Sequence, residues 1–224
     1  MIICDTSYPD HSKYVIAKNQ NWNDYYPEAK EELPSDMPTA LGKPVRITCY
    51  VNADHAHCKL TRRSVTGILL FINNMPLRWY SKKQSTVKTS TYGSELVAAR
   101  IAVDLILEIR YGLRMLGIPL EGPAKLLGDN KSVVLNTTFS SSQLKKKHNA
   151  VNYHRVREAC AANIITFSHI DSGDNLADIL TKSLGKATFY KLAKQVLFRV
   201  PKASKLDIDE DDIPGTDIPN NKQN

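Results

Sequence analysis

Four carboxylates occupy places where chemistry is usual in a chain of alternating elements. Asp54 lies just past a β-rich run, Glu95 in the first turn of a long helical pattern, Asp129 at the end of another β-rich run, and Asp178 beyond the last such run. The carboxyl ends of parallel strands and the adjoining helix starts converge on one crevice. Carboxylates gathered there repel one another unless a cation bridges them, and Mg²⁺, a hard ion that takes oxygen ligands, is the natural bridge. Two such ions about 3.5–4 Å apart stabilise the attacking and leaving oxygens in phosphodiester hydrolysis. The same positions also suit plainer roles: a helix-start carboxylate facing the dipole for Glu95, caps or surface acids for Asp129 and Asp178. A second cluster, Asp54-His55-Ala56-His57-Cys58, is dense in possible metal ligands, but no second pair at zinc spacing follows and it reads as an ordinary loop.

These acids stand out because of their surroundings. The 224 residues carry a formal charge of +7, with 42% hydrophobic and 24% charged residues, a composition that excludes collagen-like and wholly disordered chains. Residues 1–44 hold seven acids and four bases, and residues 201–224 hold six acids and three bases, so each end is −3. The segment 45–200, with 23 bases and ten acids, is therefore +13. So basic a segment, with Trp79, Tyr80 and Tyr153 among its cations, suits a polyanion, nucleic acid first; a solvated cationic surface is the plainer alternative. The four cysteines lack CxxC spacing, there is no leader-like N-terminus, and no run approaches the roughly 18 apolar residues of a membrane span. Reduced thiols and an intracellular location are expected.

The elements that must position the acids follow from periodicity. Residues 1–44 are polar with scattered aromatics and no sustained period, and read as an extended connection arm; residues 201–224 read as an acidic disordered tail. Between them, residues 46–51, 65–72 and 77–81 suggest an antiparallel three-strand meander turning at Asn73-Asn74-Met75-Pro76. Leu96, Ala99, Val103, Ile106 and Leu113 recur at helical spacing, with Ser90 or Thr91 as the cap and Gly117 as the stop. Residues 124–128 and 164–170 are further strands, and helices are expected from Ser132, over 151–162, and over 175–184 and 188–198. The order predicts an α/β domain over 45–200: a mixed five-stranded sheet flanked by helices.

The residues also carry a resemblance. In order along the chain stand Tyr50-Val51-Asn52-Ala53-Asp54-His55-Ala56, Arg62-Arg63-Ser64-Val65-Thr66-Gly67, Trp79-Tyr80-Ser81-Lys82-Lys83-Gln84 and Ser90-Thr91-Tyr92-Gly93-Ser94-Glu95. They are followed by Gly128-Asp129-Asn130-Lys131-Ser132, Lys147-His148, Tyr153-His154-Arg155-Val156-Arg157-Glu158, and Leu176-Ala177-Asp178-Ile179-Leu180-Thr181-Lys182-Ser183-Leu184. From about Gly42 to Phe198 the chain resembles the ribonuclease H region of copia-type retrotransposon Pol polyproteins, and the arm resembles the connection segment before it.

The resemblance implies a ribonuclease H-like fold and cleavage of the RNA strand of an RNA/DNA hybrid with two Mg²⁺ ions, Mn²⁺ being an alternative. It puts the catalytic and metal-binding set on Asn52, Glu95, Asp129 and Asp178, converging on one side of the sheet. Relatives carry Asp where this chain has Asn52, so one negative charge is missing from the ligand cage and impaired activity is implied. Asp54, about 6.7 Å further along a regular strand, does not replace it without a bulge. Arg62, Arg63, Lys82, Lys83, Lys145, Lys146 and Lys147 suit phosphate oxygens of the hybrid, while His148 and His154 read as structural. No reverse-transcriptase segment is recognisable in the chain. A non-catalytic nucleic-acid-binding module and an inert product of a decayed element remain as alternatives.

Overall fold

The computed structural model describes residues 21–56, 58 and 60–197. His57, the first 20 residues, Phe198 and the acidic tail lie outside the described residues.

Five strands, β1 (Ile47–Asp54), β2 (Val65–Ile72), β3 (Met75–Lys83), β4 (Ala124–Gly128) and β5 (Ile165–His169), form one sheet in the order β3-β2-β1-β4-β5. The first three pair antiparallel, and β4 and β5 run parallel to β1. The mixed five-stranded sheet flanked by helices is as the sequence led us to expect. Strand β1 lies at the centre and is buried on both faces, which is why its run is nearly continuously apolar. Strand β3 is an edge and mostly exposed. It starts two residues earlier than expected, because Asn73 takes a left-handed φ of 53° and closes a tighter turn. Its pairing with β2 shifts at Leu70/Phe71, beside Pro76, which has no N–H for the ladder.

Among the described residues four α-helices complete the domain: α1 (Thr91–Met115), α2 (Lys131–Thr138), α3 (Ala150–Ala161) and α4 (Lys186–Val196). The long helix begins where expected, with the Ser90 hydroxyl accepting from the N–H of Gly93 at 3.3 Å. One face of the sheet, through Cys49, Val51, Leu70 and Leu126, packs on Leu96, Ala99, Val103 and Ile106 of α1 and Val156 of α3. The other face, through Tyr50, Leu69 and Leu127, packs on Leu176, Ala177 and Leu192.

The helix expected over 175–184 is a 3-10 turn over Leu176–Leu180 instead. Side chains that bond locally to the backbone compete with an α-helix here. The Asn175 carboxamide accepts from the Ala177 N–H and donates to the Val51 carbonyl at 3.0 Å, stitching the turn to β1. The Thr181 hydroxyl donates to the Asp178 carbonyl at 3.2 Å.

Residues of the arm lie against the helical face. Glu31 accepts from Arg110 at 2.7 and 2.8 Å and from Arg114, and the Leu41 N–H donates to the Gly117 carbonyl at 2.8 Å. Arg157, a guanidinium that is only 2% exposed, lies 4.9 Å from the Trp22 ring centroid and 5.0 Å from that of Tyr153.

Candidate active site at the carboxyl end of the sheet

Strands β1 and β4 run parallel, so Asn52, near the end of β1, and Asp129, directly after β4, reach the same end of the sheet. Helix α1 begins at that end and delivers Glu95; the 3-10 turn delivers Asp178. The carboxylates meet closely enough to act on one another. Burial first, and then the charges of Asp129 and Asp178, push Glu95 well above the ordinary carboxyl range, with a hydrogen bond from the Ala53 backbone opposing. Asn52, Glu95 and Asp178 are buried, whereas Asp129 is half-buried.

The group does not assemble over a single face of the sheet. Alternation puts Asn52 on the face of Tyr50, towards the 3-10 turn, while Glu95 comes from the helix packed on the opposite face. They meet across the strand end, where both layers terminate.

Asn52 is fixed by the turn. Its Nδ2 donates to Asp178 Oδ1 and, at 2.9 Å, to Thr181 Oγ1. Lys182 Nζ pairs with Asp178 Oδ2 at 2.8 Å. Burial raises the Asp178 carboxyl, opposed by the Lys182 ammonium and the Asn52 amide. Burial draws Lys182 down, but its bond to Asp178 and the charges of Asp178, Asp129 and Asp54 prevail and raise it. Asp54 ends β1 in unbroken register with Val65, so no bulge carries its side chain back to Asn52.

Among the described residues no group of three or more His, Cys, Asp or Glu side chains is arranged to hold a metal ion. The donor set does not fit a pair of Mg²⁺ ions: an amide N–H and an ammonium face Asp178, where two hard cations need unopposed oxygen.

The cations expected to meet phosphates are all exposed. Arg62 and Arg63 are exposed in the β1–β2 loop, with Arg62 at a left-handed φ of 55°, and Lys82 and Lys83 are exposed at the adjoining end of β3. Lys145, Lys146 and Lys147 are exposed just before α3. His148 is also exposed, and His154 Nδ1 lies 2.7 Å from the Tyr26 hydroxyl.

Two residues that sequence reasoning passed over, Asn149 and Lys88, lie beside the start of α1. Asn149 is 0% exposed, yet neither polar atom of its side chain has a partner among the described residues. Its Nδ2 lies 3.7 Å from where a Cβ on Gly93, in the first turn of α1, would stand, and the Lys88 side chain borders the same point at 3.5 Å. The only signal was positional: Asn149 immediately precedes a helical pattern, where a cap is expected, but its side chain makes no capping bond.

A meander of three strands followed by two parallel crossovers, with Asn52 from β1 and acids from α1, the residue after β4 and the 3-10 turn at one end, has the ribonuclease H-like fold. Over 164 residues, 71% of its length, the chain is 30% identical to the retrovirus-related Pol polyprotein from transposon RE1 of Arabidopsis thaliana. It is 28% identical to that from transposon RE2 of the same plant, and 28% identical over 148 residues, 66% of its length, to that from transposon TNT 1-94 of Nicotiana tabacum. The chain is homologous to part of these copia-type Pol polyproteins and spans 11% of the length of each. No protein-family profile matches it.

Among solved structures, it is similar to the N-terminal RNase H domain of rv2228c from Mycobacterium tuberculosis, with a TM-score of 0.47 at 13% identity, covering 67% of this chain and 97% of that one. For RNase H1 from Halobacterium salinarum the TM-score is 0.47 at 14% identity, covering 61% of this chain and 94% of that one. No helix of the described residues is long and apolar enough to cross a membrane.

Proposed function

We propose that the chain is a retrotransposon-derived ribonuclease H-like domain that binds RNA/DNA hybrids and whose two-metal hydrolysis of the RNA strand is impaired at Asn52. The observation that carries this reading is the Asn52 amide bonded to Asp178 in the middle of the acid group, where an aspartate would add a fourth carboxylate. Two groups of exposed cations support the binding half of the reading: Arg62, Arg63, Lys82 and Lys83 in the β1–β2 loop and at the adjoining end of β3, and Lys145, Lys146 and Lys147 just before α3. Such groups suit phosphate oxygens, which position a duplex without reading its bases. The start of α1 with Asn149 and Lys88 suits one backbone phosphate: a helix N-terminus, a buried amide without partners among the described residues and a lysine side chain beside it.

The test is cleavage of an end-labelled RNA/DNA hybrid by the purified chain in Mg²⁺ or Mn²⁺, beside Asn52→Asp. The native protein is expected to cut at least about a hundredfold more slowly than the variant. Equal rates would remove Asn52 from the explanation. Normal native cleavage that Asp129→Asn leaves untouched would remove the whole metal assignment.

A second reading, a nucleic-acid-binding module without catalysis, is favoured by the Lys182–Asp178 pair, which puts the chain's own cation on one acid of the group. It predicts hybrid binding that survives EDTA, falls steeply with salt, and is accompanied by no cleavage even in Asn52→Asp.

A further inference from the structure

Asp178 accepts at both of its carboxylate oxygens: Oδ1 from Nδ2 of Asn52, Oδ2 from Nζ of Lys182 at 2.8 Å. The orientation of the Asn52 amide follows from its surroundings. The Thr181 hydroxyl spends its proton on the Asp178 carbonyl, so its oxygen is left to accept from Asn52 Nδ2 at 2.9 Å. A flipped amide would press its carbonyl oxygen against the carboxylate. Asn52 is 3% exposed and Asp178 4% exposed, so water does not readily compete for the amide bond, while the Lys182 side chain keeps 39% exposure. Lys182 also feels the charges of Asp129 and Asp54, which puts one ammonium among three acids, where a hard cation would otherwise be drawn.

We infer that the buried Asn52 amide and the Lys182 ammonium together occupy both oxygens of Asp178, so that Asp178 is not a metal ligand in this chain. This rests on the proposed function and deepens it: the defect at Asn52 is the withdrawal of a second acid as well as the missing charge. A metal ion on Asp178 would meet the positive ends of an amide N–H and an ammonium at the same carboxylate. An aspartate at position 52 would supply no such donor and would repel Asp178 out of the pair.

Mn²⁺ titration of the full chain without nucleic acid, read by the electron paramagnetic resonance of the free ion, separates this from loss of charge alone. Asn52→Ala keeps the charge and deletes the donor to Oδ1, and is expected to tighten Mn²⁺ binding by about tenfold as that oxygen of Asp178 is freed. In the native background Asp178→Asn should leave Mn²⁺ binding unchanged. Unchanged or weaker binding in Asn52→Ala, or weaker binding in Asp178→Asn, overturns the inference. Asn52→Ser, whose hydroxyl is too short to span the gap, carries the same expectation if the alanine variant does not fold. Hybrid affinity in EDTA, measured on the same samples, tests the proposed function separately: a chain that ignores hybrid refutes that function whatever the Mn²⁺ result.

Discussion

The amide of Asn52 and the carboxylate of Asp178 share a hydrogen bond although 126 residues separate them in sequence. The contact depends on how closely the 3-10 turn approaches the sheet. Gly67 on β2, the residue paired with Asn52 in the β1–β2 register, lies directly under that turn.

Gly67→Ala should break the relationship. A Cβ there would stand 2.5 Å from Thr181 Cγ2 and 2.8 Å from the Ala177 carbonyl oxygen, and a backbone carbonyl does not swing aside as a flexible side chain does. The turn must lift, with an overpacking cost of about 1–3 kcal/mol. Urea unfolding measures it, with Gly112→Ala as the control of opposite sign. Gly112 lies inside α1 with nothing within 4 Å of its Cβ position, so alanine there should stabilise by about 0.5–1 kcal/mol. A neutral Gly67→Ala would mean that the turn is not pressed against β2.

Glu31 gives the arm an acid-labile attachment. Burial opposes its ionisation, but hydrogen bonds from Arg110 and Arg114 outweigh that and hold its carboxyl at about 2, below the ordinary 4.5. A carboxyl depressed by folding contributes stability that is fully present above about pH 4.5 and is lost as the pH falls towards 2. Glu31→Gln should therefore destabilise at neutral pH by about 2–3 kcal/mol, discounted from a fully buried pair because Glu31 and Arg114 keep some exposure. The gap between native and variant should shrink between pH 4.5 and 2. A gap that does not change with pH would show that the pair contributes through packing alone.

At Asn149, stability and binding should move in opposite directions. Its side chain is buried with both polar atoms unpartnered, so Asn149→Ala removes a desolvation cost and no hydrogen bond, and thermal stability should hold or rise. If the amide is reserved for a phosphate, hybrid affinity at fixed salt should fall by about fivefold to tenfold. Lower stability with unchanged affinity would assign Asn149 to the fold instead.

How far these features could be read in advance depended on their range along the chain. The strands and α1 were legible because alternation and helical spacing are local, and the acids because they fall where such elements end. The turn over Leu176–Leu180 was not, since its form comes from Asn175 and Thr181 bonding to backbone and from Gly67 on a distant strand. Lys182 was visible as a member of a string of residues, but its pairing with Asp178 depends on that turn. The aromatics of the arm marked something in a polar stretch. Their partner, a buried guanidinium some 130 residues away, left no local pattern.

That guanidinium carries the last prediction. Arg157 donates to the carbonyls of Asn136, Phe139 and Ser140 at 2.6–3.1 Å, around the carboxyl end of α2, and to the Tyr26 hydroxyl at 3.1 Å. It thereby satisfies oxygens that a helix end leaves without partners, while Trp22 and Tyr26 cover its other face. Helix α2 begins two residues after Asp129, so the arm is linked through Arg157 to the element that follows an acid of the site. Arg157→Lys keeps the charge but loses the planar fork, and should cost about 3–5 kcal/mol, as for a buried charge left partly unpaired. Release of Trp22 should red-shift its fluorescence, read in a Trp79→Phe background because Trp79 is already 70% exposed. Deleting residues 1–44 removes the aromatic cover and the Glu31 clamp together, and should destabilise at least as much as Arg157→Lys. A truncated chain as stable as the full one would set the domain boundary at residue 45 and reduce the arm to a tether.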